Sequence, residues 1–235
     1  MLLALAALLA GAIASVSGFG IGSILTPLLA RQTGMKLAVA TVSIAHLAGT
    51  ALRFWRLRKY VDRATLKSFG LFSAVGGLAG ALLNAATSNR ALEITLGVLL
   101  VFAGLTGVTG MASHMRFGRR AAWVAGALSG LLGGLVGNQG GIRSAALMGF
   151  EVPRVSFVAT ATAIALIIDG VRVPVYLAQS GREIAAVWPL LGIAIAGVLV
   201  GTLIGQRILG RIPEPVFRRV VSALILALGI SMLVR

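Results

Sequence analysis

Ser15-Val-Ser-Gly-Phe-Gly-Ile-Gly-Ser-Ile-Leu-Thr-Pro27 interrupts the first apolar run of the chain. A second stretch, Leu135-Val-Gly-Asn-Gln-Gly-Gly-Ile-Arg-Ser-Ala-Ala146, interrupts another run past the middle. Displaced by about 119 positions, the first stretch falls on the second, with Gly18 on Gly137 and Gly22 on Gly141. The same displacement carries Val39-Ala40-Thr41 onto Val158-Ala159-Thr160 and Arg53 onto Arg172. Each glycine costs about 1 kcal/mol against alanine inside a helix, so the clusters mark places where helices stop. In a bilayer, broken backbone is tolerated only where protein or a water-filled cavity covers it. Paired breaks at matching places in two halves point to a transporter's binding site.

Composition sets the class. The chain is 58% hydrophobic and 11% charged, with a mean hydropathy of +0.98. Soluble domains carry roughly 25% charged residues. Apolar runs near the roughly 20 residues of a spanning helix recur along all 235 positions, which leaves no room for a soluble domain. The net charge of +15 comes mainly from bases at the ends of apolar runs. There they read as topology signals and lipid-headgroup contacts, and no nucleic-acid partner is expected. No cysteine is present, so disulfide and thiol chemistry are excluded. Leu2 to Val16 lacks a basic leader and an Ala-x-Ala site, and reads as retained.

Eight segments follow from the runs: Leu2–Ala30, Leu37–Phe54, Ser68–Ala86, Ala91–Met111, Ala121–Phe150, Pro153–Leu177, Ile184–Leu209 and Val216–Val234. Arg53, Arg56, Arg58, Lys59, Arg63 and Lys67 read as a basic loop after the second segment. A basic linker from His114 to Arg120 divides residues 1–114 from residues 115–235. Gly76-x-x-x-Gly80 and Gly197-x-x-x-Gly201-x-x-x-Gly205 have the spacing of close helix packing.

The first and fifth segments are cut at their glycines into pieces too short to span. If both are re-entrant hairpins, about 14 Lys and Arg lie on one side and about 6 on the other. If all eight segments cross, the split is about 12 to 8. The hairpin arrangement leaves three crossings per half, an odd number, which makes the two halves inverted. The expected fold is therefore all-α and polytopic: two inverted repeats, each a Gly-broken re-entrant hairpin plus three transmembrane helices.

Gly18-Phe-Gly-Ile-Gly-Ser-Ile-Leu-Thr-Pro-Leu28 resembles the Gly-rich signature of the sulfite exporter TauE/SafE family. That family repeats its signature midway, as Gly137-Asn-Gln-Gly-Gly-Ile-Arg-Ser-Ala-Ala-Leu147 does here. Ile21 interrupts the glycine run of the first copy, Gln139 replaces a glycine in the second, and Ala146 stands where the first copy has Pro27. The resemblance implies a multi-pass inner-membrane secondary transporter moving organosulfur or other small anions, often outward.

The residues support an anion independently. After each break a new half-helix begins, with exposed N–H groups and a positive dipole end. Gly18, Gly20, Gly22, Ser23 and Thr26 from the first break, with Ser17 beside them, would face Asn138, Gln139, Gly140, Gly141, Arg143 and Ser144 from the second. The plainer alternative is that these glycines only let helices pack closely. Arg143 is the only base inside either break and is the first choice for a direct anion contact through its planar fork; otherwise it pairs structurally or reaches the interface.

Asp169 and Arg172, three apart, share a helix face; they form a static ion pair or, if the pair opens, Asp169 carries a coupling proton. His46 is the one histidine inside a crossing; it packs with a hydrogen bond or titrates. Two histidines and six acids give no metal-ligand spacing, no catalytic constellation can be argued, and no cofactor is expected. The expected function is export or exchange of a small, sulfur-containing anion; the rivals are a passive anion channel and a non-transporting scaffold. The expected partners are that anion and the lipid bilayer, with homodimerisation left open.

Overall fold

A chain this apolar must satisfy its backbone internally, and helices do so within one segment. The computed structural model describes residues 1–111, 119–138, 140, 153–209 and 212–234. Its helices among those residues are α1 (Leu2–Ser17), α2 (Ile21–Thr33), α3 (Met35–Leu57), α4 (Arg63–Ala86), α5 (Asn89–Val108), α6 (Arg119–Val136), α7 (Arg154–Ala186), α8 (Trp188–Leu209) and α9 (Glu214–Leu233). Six of these, α3, α4, α5, α7, α8 and α9, are long and apolar enough to cross a membrane. α1 and α6 are shorter apolar helices, each ended by a Gly break. The protein is thus an all-α, multi-pass membrane protein.

The 119-residue offset reappears in the elements. It carries Leu2–Ser17 onto 121–136, the body of α6, and Met35 onto Arg154, the first residue of α7. Packing is reciprocal: α4 lies along α6, α1 along α8, α3 against α7 and α5 against α9.

Glycines make these contacts possible. A Cβ at Gly76 would strike the Ala127 carbonyl, and one at Gly80 the Leu131 carbonyl. Across the same seam, Gly130 and Gly134 meet the Ser73 and Gly77 carbonyls. On α8, Gly197, Gly201 and Gly205 take Ala7, Leu8 and Ala12 of α1. Backbones this close gain dispersion contacts and short polar contacts, the main attraction left where lipid is as apolar as the side chains. The Gly76–Gly80 spacing therefore does the packing expected of it, and the Gly197–Gly205 series on one face of α8 packs in the same way. The outer faces of α4 and α5 present Leu71, Val75, Leu78, Val98 and Phe102, an apolar surface suited to acyl chains.

α7 runs farther than the sixth apolar run, to Ala186, and bends at Ser180, whose φ of −135° and ψ of 26° are not helical. Arg53 departs from the basic loop that the sequence suggests. It lies within α3 and is 3% exposed, because α3 continues one turn past Phe54 to Leu57. Beyond it, Arg58 sits over the Trp55 ring at 3.9 Å.

Asp62 caps α4, accepting from the Thr65 N–H at 2.7 Å, while its own N–H donates to the Thr160 hydroxyl of α7 at 2.9 Å. Hydrogen bonds from the Thr65 hydroxyl and N–H hold the Asp62 carboxyl below the usual carboxylate range. A carboxyl depressed in the folded state stabilises above its unfolded pKa and loses that contribution as pH falls through its folded value. Asp62→Ala should cost about 1 kcal/mol at neutral pH. The difference from wild type should shrink below about pH 4, measured as melting temperature against pH.

Candidate functional site

Both breaks begin in the same way. α1 ends at Gly18 (φ 79°) and α6 ends at Gly137 (φ 76°), a left-handed conformation that glycine adopts without strain. The Gly18 N–H donates to the Ala14 carbonyl at 2.9 Å, and the Gly137 N–H to the Gly133 carbonyl at 3.1 Å. After Gly18 the chain turns back. A Cβ at Gly20 (φ 124°) would lie 3.1 Å from Ile13 Cγ2, whereas a continuous helix would separate residues seven apart by about 10 Å. The Ser17 hydroxyl fastens the turn, its single proton shared between the Ile13 and Phe19 carbonyls at 2.9 and 2.8 Å. α2 then starts at Ile21 with no side-chain cap, so its first N–H groups keep their capacity to donate.

The two breaks meet. Gly22 abuts the Gly137 carbonyl so closely that any side chain there would strike it. Gly140 abuts Phe19 in the same manner. The Ser23 hydroxyl donates to Asn138 Oδ1 at 3.4 Å. Thr26 faces Gly137, and its buried hydroxyl has no hydrogen-bond partner among the described residues. Pro27, lacking an N–H, leaves the Ser23 carbonyl without its helical donor. Of the residues expected to face one another at the breaks, Gly22, Ser23, Thr26, Asn138 and Gly140 meet across the junction, and Gly18 and Gly20 form the turn that leads into it. Gln139, Gly141, Arg143 and Ser144 lie outside the described residues.

Next to the junction, α3 and α7 enclose a charged cluster. His46 Nδ1 lies 2.6 Å from Asp169 Oδ2. Arg172 donates to Asp169 Oδ1 through Nε at 2.9 Å and Nη2 at 2.7 Å. Asp169 is wholly buried, Arg172 is 1% exposed and His46 is 5% exposed. The pair expected from the three-residue spacing is formed. His46, read separately from sequence, completes it from 123 positions away.

This cluster is tied to the second break. The last carbonyls of a helix are short of backbone donors, Gly133 keeping that of the Gly137 N–H, and burying them underpaired is costly. Arg172 Nη1 donates to the Gly133 carbonyl, the Tyr176 hydroxyl to the Gly134 carbonyl, and Asn84 Nδ2 to the Leu135 carbonyl at 2.7 Å. Three successive carbonyls of the last turn of α6 therefore receive side-chain donors. The guanidinium also places positive charge at the negative end of the helix dipole. At the first break, Arg53 Nη1 donates to the Ala14 carbonyl at 2.6 Å and Nε to the Thr162 hydroxyl at 3.0 Å. Tyr176, Asn84 and Arg53 go unrecognised as site residues in the sequence. The one signal for them is the offset that pairs Arg53 with Arg172.

A sequence model of the family described as sulfite exporter TauE/SafE matches residues 3–232. No curated protein and no solved structure matches.

Proposed function

Because the chain belongs to the sulfite exporter TauE/SafE family, a family of membrane transporters, we propose that it is a secondary transporter. It exports or exchanges a small sulfur-containing oxyanion across the inner membrane. Residues 1–114 and 115–235 act as two inverted repeats, and α1–α2 and its counterpart as re-entrant hairpins. The observation that carries this reading is the contact between the two Gly breaks, Gly22 against the Gly137 carbonyl and Ser23 with Asn138. At such a junction, uncapped N–H groups and the dipole of α2 favour an anion, and the Ser23, Thr26 and Asn138 side chains orient it. Arg143 adds the planar fork on the second half.

Coupling falls to His46 and Asp169. A proton gained or lost by this pair changes its charge by one, and Arg172 binds the same carboxylate while holding the end of α6. Protonation would loosen Arg172 and, with it, the second break. The pair therefore links proton occupancy to the shape of the anion site.

The test is flux into liposomes holding the purified protein, with sulfite, sulfate, thiosulfate, sulfoacetate and carboxylates, with and without a pH gradient. Transport of a sulfur oxyanion that responds to the gradient is expected. Current passed without a driving gradient would make the protein a channel, and no flux of any anion would make it a scaffold.

The inverted arrangement has its own check. With no native cysteine in the chain, Lys59→Cys and Ile212→Cys can be labelled singly from outside sealed cells with an impermeant reagent. Both should be protected, since both then lie on the base-rich cytoplasmic side. Labelling of the Ile212→Cys variant alone would mean that all eight segments cross.

A further inference from the structure

Arg53 and Arg172 are equivalents that differ in one respect. Each donates Nη1 to the carbonyl 39 residues before it, Ala14 and Gly133 respectively. Each of those carbonyls also accepts the N–H of the left-handed glycine that opens a break. Arg172 has its counter-charge three residues earlier, in Asp169. Three residues before Arg53 stands Thr50, an uncharged residue whose hydroxyl lies 3.3 Å from His46 Nδ1. Both oxygens of Asp169 are engaged, by His46 and by Arg172. Arg53 is left with two neutral acceptors, Ala14 and Thr162. Its Nη2 is buried with no hydrogen-bond partner among the described residues.

A guanidinium at 3% exposure, with one nitrogen unpaired among the described residues, and with the Asp169 charge that acts on it already held by His46 and Arg172, is costly unless a further anion reaches it. Ala14 is one turn before Gly18, so Arg53 is anchored on the turn that leads into the first break. We propose that Arg53 is the cation that receives the substrate's negative charge, its Nη2 donating to a small oxyanion as Arg172 donates to Asp169. This rests on the transporter reading above. The asymmetry has a purpose on this view: one half carries a resident carboxylate, and the other leaves the equivalent place for cargo. Planar guanidinium N–H groups match the oxygens of sulfite-like anions, and their charge does not depend on pH.

Supplying Arg53 with its own carboxylate tests the idea. Thr50→Asp reproduces at Arg53 the three-residue spacing of Asp169 and Arg172, and Thr50→Asn reports the cost of shape alone. In buffer free of oxyanions, Thr50→Asp should melt above Thr50→Asn. Sodium sulfite should raise the melting temperature of wild type and of Thr50→Asn, but not of Thr50→Asp. Sulfite flux in liposomes should be at least about tenfold lower for Thr50→Asp than for Thr50→Asn. Arg53→Gln gives an independent arm: it removes the unpaired charge, so the protein should stay folded while sulfite no longer stabilises it. Equal sulfite flux and stabilisation in Thr50→Asp and Thr50→Asn, or full sulfite stabilisation of Arg53→Gln, overturns the assignment of Arg53 and leaves the transporter reading intact. Wild type that neither carries nor is stabilised by any oxyanion overturns both.

Discussion

Asp169→Asn should lower stability by about 3–5 kcal/mol, the range seen when one partner of a buried ion pair is removed. The substitution keeps the shape and removes the charge. Arg172, 1% exposed, would then be buried without a carboxylate, and His46 would lose its charged partner. Arg53, on which the Asp169 charge also acts, would lose that attraction as well. The damage should spread to the second break, since Arg172 holds the Gly133 carbonyl and Tyr176, one turn on, holds that of Gly134. Melting temperature in detergent should fall by about 10 °C or more, with a matching loss of monodisperse protein. Asp169→Asn combined with Arg172→Gln should be less damaging than the sum of the two single changes, because the double variant leaves no guanidinium unpaired at that place. A melting temperature within a degree of wild type for Asp169→Asn would show that the ion pair is not a structural requirement.

Gly22→Ala should abolish transport, although it adds a single methyl group. The new Cβ would strike the Gly137 carbonyl, which is backbone and cannot rotate aside as a side chain can. The two breaks must then move apart, taking Ser23 from Asn138 and Thr26 from Gly137. Overpacking a close-packed site costs about 1–3 kcal/mol in stability. The loss of flux should be larger than that cost suggests, at least about a hundredfold, because the proposed anion contacts come from two halves and depend on their separation. Gly18→Ala is the comparison. Among the described residues its Cβ would meet only Ala161, at 4.0 Å, so its penalty there is the strain of a left-handed residue, about 1–2 kcal/mol. Flux normalised to folded protein should rank wild type, Gly18→Ala, Gly22→Ala. Normal flux from a well-folded Gly22→Ala protein would remove the contact between the breaks from the transport pathway.

Hydropathy and spacing carried a large part of the architecture. Apolar run length, once the first and fifth runs are cut at their glycines, separates the six long helices from α1 and α6, since bilayer thickness sets a length scale that any window of sequence can be compared with. Glycine spacing marks the seams of α4 with α6 and of α8 with α1, because only residues without a Cβ allow backbones so near. The repeat offset links Arg53 with Arg172 before any contact is known.

Partner choice is a different matter. In lipid every apolar helix face is equally content, so the hydropathy of α3 holds no signal that His46 will meet Asp169 on α7. The same holds for Tyr176 and Asn84, which the chain brings from two helices to adjacent carbonyls of a third. Arg53 is the sharpest case. Beside Arg56 and Arg58 it reads as one more base in a cytoplasmic loop, yet one further turn of α3 takes it into the interior. A charge near a helix end can point to water or to the core with the same local sequence. Which of these occurs depends on whether a carbonyl such as that of Ala14 is waiting, and only the assembled helices supply it.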